Sequence, residues 1–433
     1  MMRLLSILLP LVLVLAATPA RSAQDDLSSL TAALVPLRTT HGTNEQRDAG
    51  PELTPVKHAL RAWLERHLPP GPTEKGPDGM IDTPSQEELA SLGRSLSQQL
   101  AAAGLTCGTF GKPGYRCPGD PMVADNFRGY LDDVRIGSFD FGRYLLVITG
   151  VGVRCGYDQS AYIYREGPDH AWKLLLASEQ DDYGKDAYAP QNFLSIDVSP
   201  SAVAWNEAAP LPLVATLGFS PWCQSNWQQL YTRLWRASAA TPTPRPLLDR
   251  ADTLYIGDYQ IATERLTASD FLVEYRGGSI DGGALIRSHV AHYRIQPGDT
   301  LERIAPVALG PRDFIEEWLT SDWPEAMRWS DPSANKPALA TFHAAAFGKD
   351  LFGGFDGPAK RCRTDPTLWQ VSFSRDGGAN EPEAPADYFK VRWMAPYRFT
   401  LVDAGQRPFP GCDEEAAMPD DIGTLFPLQG RVP

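Results

Sequence analysis

Three stretches of the chain carry the same succession of apolar and polar positions. In residues 144 to 178 a continuous apolar run, YLLVIT, is followed by alternation around Tyr162 and Tyr164 and then, after a Gly-Pro-Asp turn, by WKLLLA. Short apolar runs and period-two alternation between turn residues predict β-strands, the first buried and the next two more exposed. Residues 211 to 249 repeat the order with LPLVATLGFSPWC, QQLYTRLWR, a proline-rich turn and RPLLD. Residues 271 to 309 repeat it again with FLVEYRGG, SHVAHYRI, the turn QPGD and TLERIAPVAL. Three copies in register predict one β unit repeated. Cys155 and Cys223 follow the first run of their copies at nearly the same interval, which places them in equivalent loops.

Residues 24 to 105 follow a helical period instead. Val56, Leu60, Trp63, Leu64 and Leu68 form one apolar stripe, with Lys57, Arg61, Glu65 and Arg66 turned to water. A second helix is expected over residues 84 to 103, with Leu89, Leu92, Leu96, Leu100 and Ala103 on its buried face. Thr54-Pro55 and Thr83-Pro84 read as a threonine cap followed by proline at the first helical position, with Gln86 completing a capping box and Gly104 ending the second helix. A further helix is expected over residues 27 to 37. Beyond the repeats, Phe314, Ile315, Trp318 and Leu319 make a helical face that Trp323-Pro324 breaks. Strands resume at residues 367 to 374 and 388 to 403, joined by an acidic, proline-rich loop.

The expected fold is therefore mainly β with an N-terminal helical region, its divergent β-sheet repeats packed as a propeller-like array or as stacked sheets. A spacing of about 60 to 70 residues exceeds the roughly 40 to 50 of typical propeller blades, so a large β-sandwich is the alternative. The organisation expected is residues 1 to 23 as an export signal, 24 to 125 as the helical region, 126 to 310 as the β repeats, and 311 to 433 as a helix with C-terminal strands.

The signal assignment rests on Arg3, the apolar run of residues 4 to 17 and the small residues from Ala20 to Ala23. That run is shorter than the roughly 20 residues needed to span a bilayer, so a mature periplasmic or extracellular chain without a transmembrane segment is expected. Six cysteines in such a chain predict disulfides, paired as Cys107 with Cys117, Cys155 with Cys223 and Cys362 with Cys412. No C-x2-C or H-x3-H spacing offers a zinc site. A formal charge of −13 argues against nucleic acid and anionic membranes as partners, leaving protein or carbohydrate.

No motif names a reaction, and no cofactor or metal is implied. The sequence PDGMID has the glycine of a calcium loop and a ligand at Asp78, but Gly76 and Ser85 occupy positions that need oxygen ligands. GGSIDG, at Ser279, misses the nucleophile-elbow spacing by one residue. His289 and His292 lie on opposite faces of one strand, and His343 has no partner nearby in sequence. Glu179, Asp181, Asp182 and Glu274 are carboxylates that a hydrolase of glycans or esters would need to bring together. A binding protein would instead line a groove with aromatic and polar groups, for which Trp222, Trp227, Glu179, Asp181 and Asp182 are the candidates. Non-enzymatic binding is the leading expectation and hydrolysis the alternative.

Overall fold

The computed structural model describes residues 27–39, 50–71, 84–107, 129–139, 144–153, 156–167, 170–179, 191–199, 211–220, 225–238, 240–257, 262–282, 286–346, 353–375 and 386–416. The expected export signal, Thr83, Asp78 and its loop, Cys117, Cys155, Asp181, Asp182, Trp222 and Cys223 lie outside these residues.

Each repeat folds as a four-stranded antiparallel meander. The first contains β1 (Arg135–Phe139), β2 (Tyr144–Val153), β3 (Gly156–Glu166) and β4 (Trp172–Ser178). The second contains β5 (Asn192–Val198), β6 (Leu213–Phe219), β7 (Trp227–Arg236) and β8 (Leu248–Tyr255). The third contains β9 (Ala262–Leu266), β10 (Asp270–Gly278), β11 (Ile286–Gln296) and β12 (Thr300–Arg303). The three strands legible in each repeat are the second, third and fourth of the meander. The opening edge strands β1, β5 and β9 are short and partly polar, so they give little apolar signal.

Strand alternation lets the first and second sheets bury both faces. Val147 and Tyr162 of the first sheet face the N-terminal helices, while Leu146, Ile163 and Leu176 face Val214 and Trp235 of the second. Leu217 and Leu234 on the far side of the second sheet meet Phe271, Val273 and Tyr293 of the third. The result is mainly β, built of stacked sheets, none closed into a barrel.

The N-terminal layer consists of α1 (Ser28–Thr39), α2 (Gly50–His67) and α3 (Gln86–Ala102). Two of their starts differ from expectation. α2 begins a turn before Thr54-Pro55, leaving Pro55 just past the first turn, where its missing N–H forfeits a single backbone bond. α3 is capped two residues later than Thr83: Ser85 is the N-cap, its hydroxyl accepting from the Glu88 N–H while Glu88 Oε2 accepts from the Ser85 N–H at 2.7 Å. Gly104, at φ +71°, ends α3 in the left-handed conformation that glycine adopts without a Cβ penalty. Lys57 is not turned to water as its position predicts; it is 1% exposed.

After the third sheet come α4 (Pro311–Thr320), α5 (Trp323–Arg328) and α6 (Lys336–Ala346). Pro324 does end the helical path, and it also starts the next one, with Asp322 capping α5. These helices cover a fourth sheet of β13 (Gly353–Phe355), β14 (Lys360–Arg361), β15 (Leu368–Arg375), β16 (Asp387–Ala395), β17 (Arg398–Gly405) and β18 (Glu414–Glu415). The apolar run from 388 to 403 is a hairpin, β16 to β17, turning at Tyr397 with φ +62°. A disulfide joins Cys362 to Cys412 beside the paired β14 and β18, and Cys107 is also disulfide-bonded. Among the described residues no helix is long and apolar enough to cross a membrane.

Candidate functional site

The seam between α2 and the first sheet holds a run of charged side chains that ends at an open recess. Period-two alternation puts Asp158, Tyr162 and Tyr164 of β3 on its helix-facing side. A β-bulge in β4 opposite Ile163 and Tyr164 resets the alternation there, so Trp172 and Leu174 pack toward the helices together with Ala177. Along α2 the charged residues recur every four positions, at 57, 61 and 65, and so share one flank of the helix.

Lys57 Nζ lies 2.6 Å from Asp158 Oδ2, with both side chains removed from solvent. Asp158 Oδ1 also accepts from the Gln191 N–H, which ties the pair to the chain entering the second sheet. One turn along, Arg61 donates to Glu179 Oε2 at 2.8 Å and Tyr162 donates to Glu179 Oε1 at 2.7 Å. Burial, with Glu179 adding to it, pushes the Tyr162 phenol well above its ordinary pKa, so it remains a donor. The Glu179 side chain is thus 1% exposed and engaged at both oxygens, a bracing group and not a surface one.

Past Arg61 the seam opens. A recess of about 230 Å3 lies between the end of α2 and the β3–β4 turn, lined in part by Glu65, Pro69, Pro70, Tyr164, His170 and Trp172. Trp172 Nε1 donates to the Pro69 carbonyl at 2.9 Å, and the Gly71 N–H donates to the His170 carbonyl at 2.7 Å. A Cβ at Gly71 would stand 2.8 Å from Glu166 side-chain atoms, so a larger residue there requires the Glu166 carboxylate to shift. His170 holds φ +59°, a left-handed conformation uncommon outside glycine, and its Nδ1 is 2.7 Å from Glu166 Oε1.

Two groups in the recess lack partners among the described residues. The Tyr164 hydroxyl is buried with no hydrogen-bond partner. The Glu65 carboxylate makes no hydrogen bond or ion pair, and partial burial raises it above the ordinary value, against the pull of Arg61 and Arg66 and with Glu179 adding to the rise. The Tyr164 phenol is likewise raised, first by burial and then by Glu65.

A second charged cluster clamps the third sheet to α4. Glu317 accepts from Arg287 and Arg303 at 2.6 and 2.9 Å and contacts His289 Nδ1 at 2.8 Å. Burial opposes its charge, yet Arg287, His289 and Arg303 hold the Glu317 carboxyl well below its ordinary value. Ser279 donates to Glu316, and His289 Nε2 contacts the Gly278 carbonyl, so both imidazole nitrogens of His289 are occupied away from that serine. His292 lies on the opposite strand face and pairs with Asp270.

The remaining sequence candidates are dispersed. His343 is buried, 2.9 Å from the Ser321 carbonyl and edge-on to Trp318. Glu274 is on β10 in the third sheet, away from Glu179 after β4. Trp227 is 38% exposed and packs on Tyr255. Glu65, Tyr164, His170 and Trp172 were missed as a set. The four-residue charge spacing on α2 was their one sequence signal, since the β4 bulge and the turn conformation leave no mark in the residue pattern. Among the described residues no cluster of three or more His, Cys, Asp or Glu is placed to hold a metal ion. No protein-family model matches the chain, and a comparison with curated proteins finds none similar to it.

Proposed function

We propose that the chain is an exported, non-enzymatic binding protein whose ligand site is the recess at the end of α2. The observation that carries this reading is the buried Tyr164 hydroxyl without a partner in a recess walled by Trp172. An unsatisfied buried hydroxyl costs about 1–3 kcal/mol, which a ligand atom offering a hydrogen bond recovers. The hydrolase alternative requires free, facing carboxylates, and Glu179 is committed to Arg61 and Tyr162. Export to the periplasm or exterior is supported by the charged, apolar and small-residue succession at the N-terminus, and the Cys362–Cys412 disulfide suits an oxidising compartment.

The test is binding by the chain from residue 24 onward to arrays of short peptides and glycans, with Trp172→Ala and Tyr164→Phe alongside. Trp172→Ala is expected to abolish the wild-type signal and Tyr164→Phe to weaken it. Binding indifferent to both variants, or turnover of ester or glycoside probes, refutes the reading.

A further inference from the structure

We infer that the recess receives an alkylammonium group, carried by a small amine or by the end of a lysyl side chain. This rests on the recess being the ligand site. Its volume of about 230 Å3 matches roughly eight waters at about 30 Å3 each. That is below the roughly 300–1,000 Å3 of pockets for drug-sized ligands. It suits one small group and is too small for a stretch of glycan.

Charge then selects among small groups. Among the described residues no lysine or arginine lines the recess. Arg61, one turn before Glu65 on α2, is committed to Glu179. The Glu65 carboxylate is partly desolvated and unpaired, and Glu166 at the end of β3 has one oxygen on the lining His170. An anion entering here would meet like charge. A neutral group would leave Glu65 further desolvated without a partner. An ammonium group relieves that cost by donating to Glu65 and to the lone pair of the Tyr164 hydroxyl. Its alkyl stem lies along Pro69 and Pro70, and the Trp172 ring attracts the adjacent positive charge. The raised Glu65 carboxyl agrees with this, because partial desolvation there outweighs the opposing pull of Arg61 and Arg66.

Calorimetric titration at pH 7.5 compares n-butylamine, Nα-acetyl-lysine-methylamide, the neutral Nα-acetyl-norleucine-methylamide and butyrate, using the wild-type chain, Glu65→Gln and Tyr164→Phe. Glu65 is exposed enough that its glutamine variant retains the fold, which melting curves verify. At least one ammonium probe is expected to bind about tenfold or more tighter than the norleucine and butyrate probes, with Glu65→Gln removing about that difference. Preference between the two ammonium probes distinguishes a free amine from a lysyl side chain. Equal binding of norleucine and lysine probes, both weakened by Tyr164→Phe, overturns the ammonium assignment and leaves the site standing. Binding of no probe, or binding untouched by either variant, overturns the ammonium assignment too, and the peptide and glycan arrays then decide the site separately.

Discussion

Replacing Lys57 with methionine removes one half of an ion pair that is sealed from solvent on both sides. The two charges sit 2.6 Å apart with side-chain exposures of 1% and 0%. At an effective dielectric of about 20 the attraction at that separation is ~6 kcal/mol, offset by a desolvation cost of several kcal/mol for each ion. The pair is therefore near neutral against an apolar replacement. Its half-removal is not, because Asp158 then loses its ion-pair partner in the same dry space. Lys57→Met is expected to cost about 3–5 kcal/mol. In the double variant Lys57→Met/Asp158→Asn, the asparagine oxygen still accepts from the Gln191 N–H, so most of the loss returns, leaving about 1–2 kcal/mol. Urea unfolding followed by far-ultraviolet circular dichroism measures all the variants, including Asp158→Asn alone. A Lys57→Met loss below about 1 kcal/mol, or losses that simply add in the double variant, would refute the reasoning.

Glu264, which accepts from Ser195 across the second and third sheets, has its carboxyl pushed by burial from 4.5 up to about 7, with Asp197 adding. At about 1.4 kcal/mol per pKa unit this makes the fold lose up to about 3 kcal/mol between those pH values as they are traversed upward, and Glu264→Gln flattens the pH-stability curve in that window; an unchanged slope refutes it. Gly104→Ala is expected to cost about 1 kcal/mol through φ alone, since an added Cβ there meets nothing within 4 Å, and thermal melting reads it. Replacing Cys362 and Cys412 together by alanine opens a link spanning 50 residues, worth about 4 kcal/mol of chain entropy, and lowers the melting midpoint even under non-reducing conditions.

Residue pattern alone settled a good part of the architecture. The β2–β4, β6–β8 and β10–β12 strands and the apolar stripes of α2, α3 and α4 were legible because each is a local periodicity. Phe314, Ile315, Trp318 and Leu319 are all buried, as their spacing requires. The Cys362–Cys412 bridge also follows from pairing an even set of cysteines by position. The edge strands escaped because a short strand with one neighbour needs no strong apolar signature.

The recess and its charges were decided only by the tertiary structure. Lys57, Arg61, Glu316 and Glu317 occupy helix positions where charge ordinarily means water, and local pattern reads them that way. A buried charge is stable only where an opposite charge arrives to compensate it, and here the compensation comes from distant chain: Arg61 and Glu179 are 118 residues apart in sequence. The bulge that turns Trp172 toward the helices and the left-handed His170 are likewise set by sheet register and by the close approach of Gly71. The sequence determined which segments become helices and strands, since that depends on neighbours along the chain. The folded layers decided which polar groups are sealed, paired or left open to a ligand, since that depends on neighbours in space.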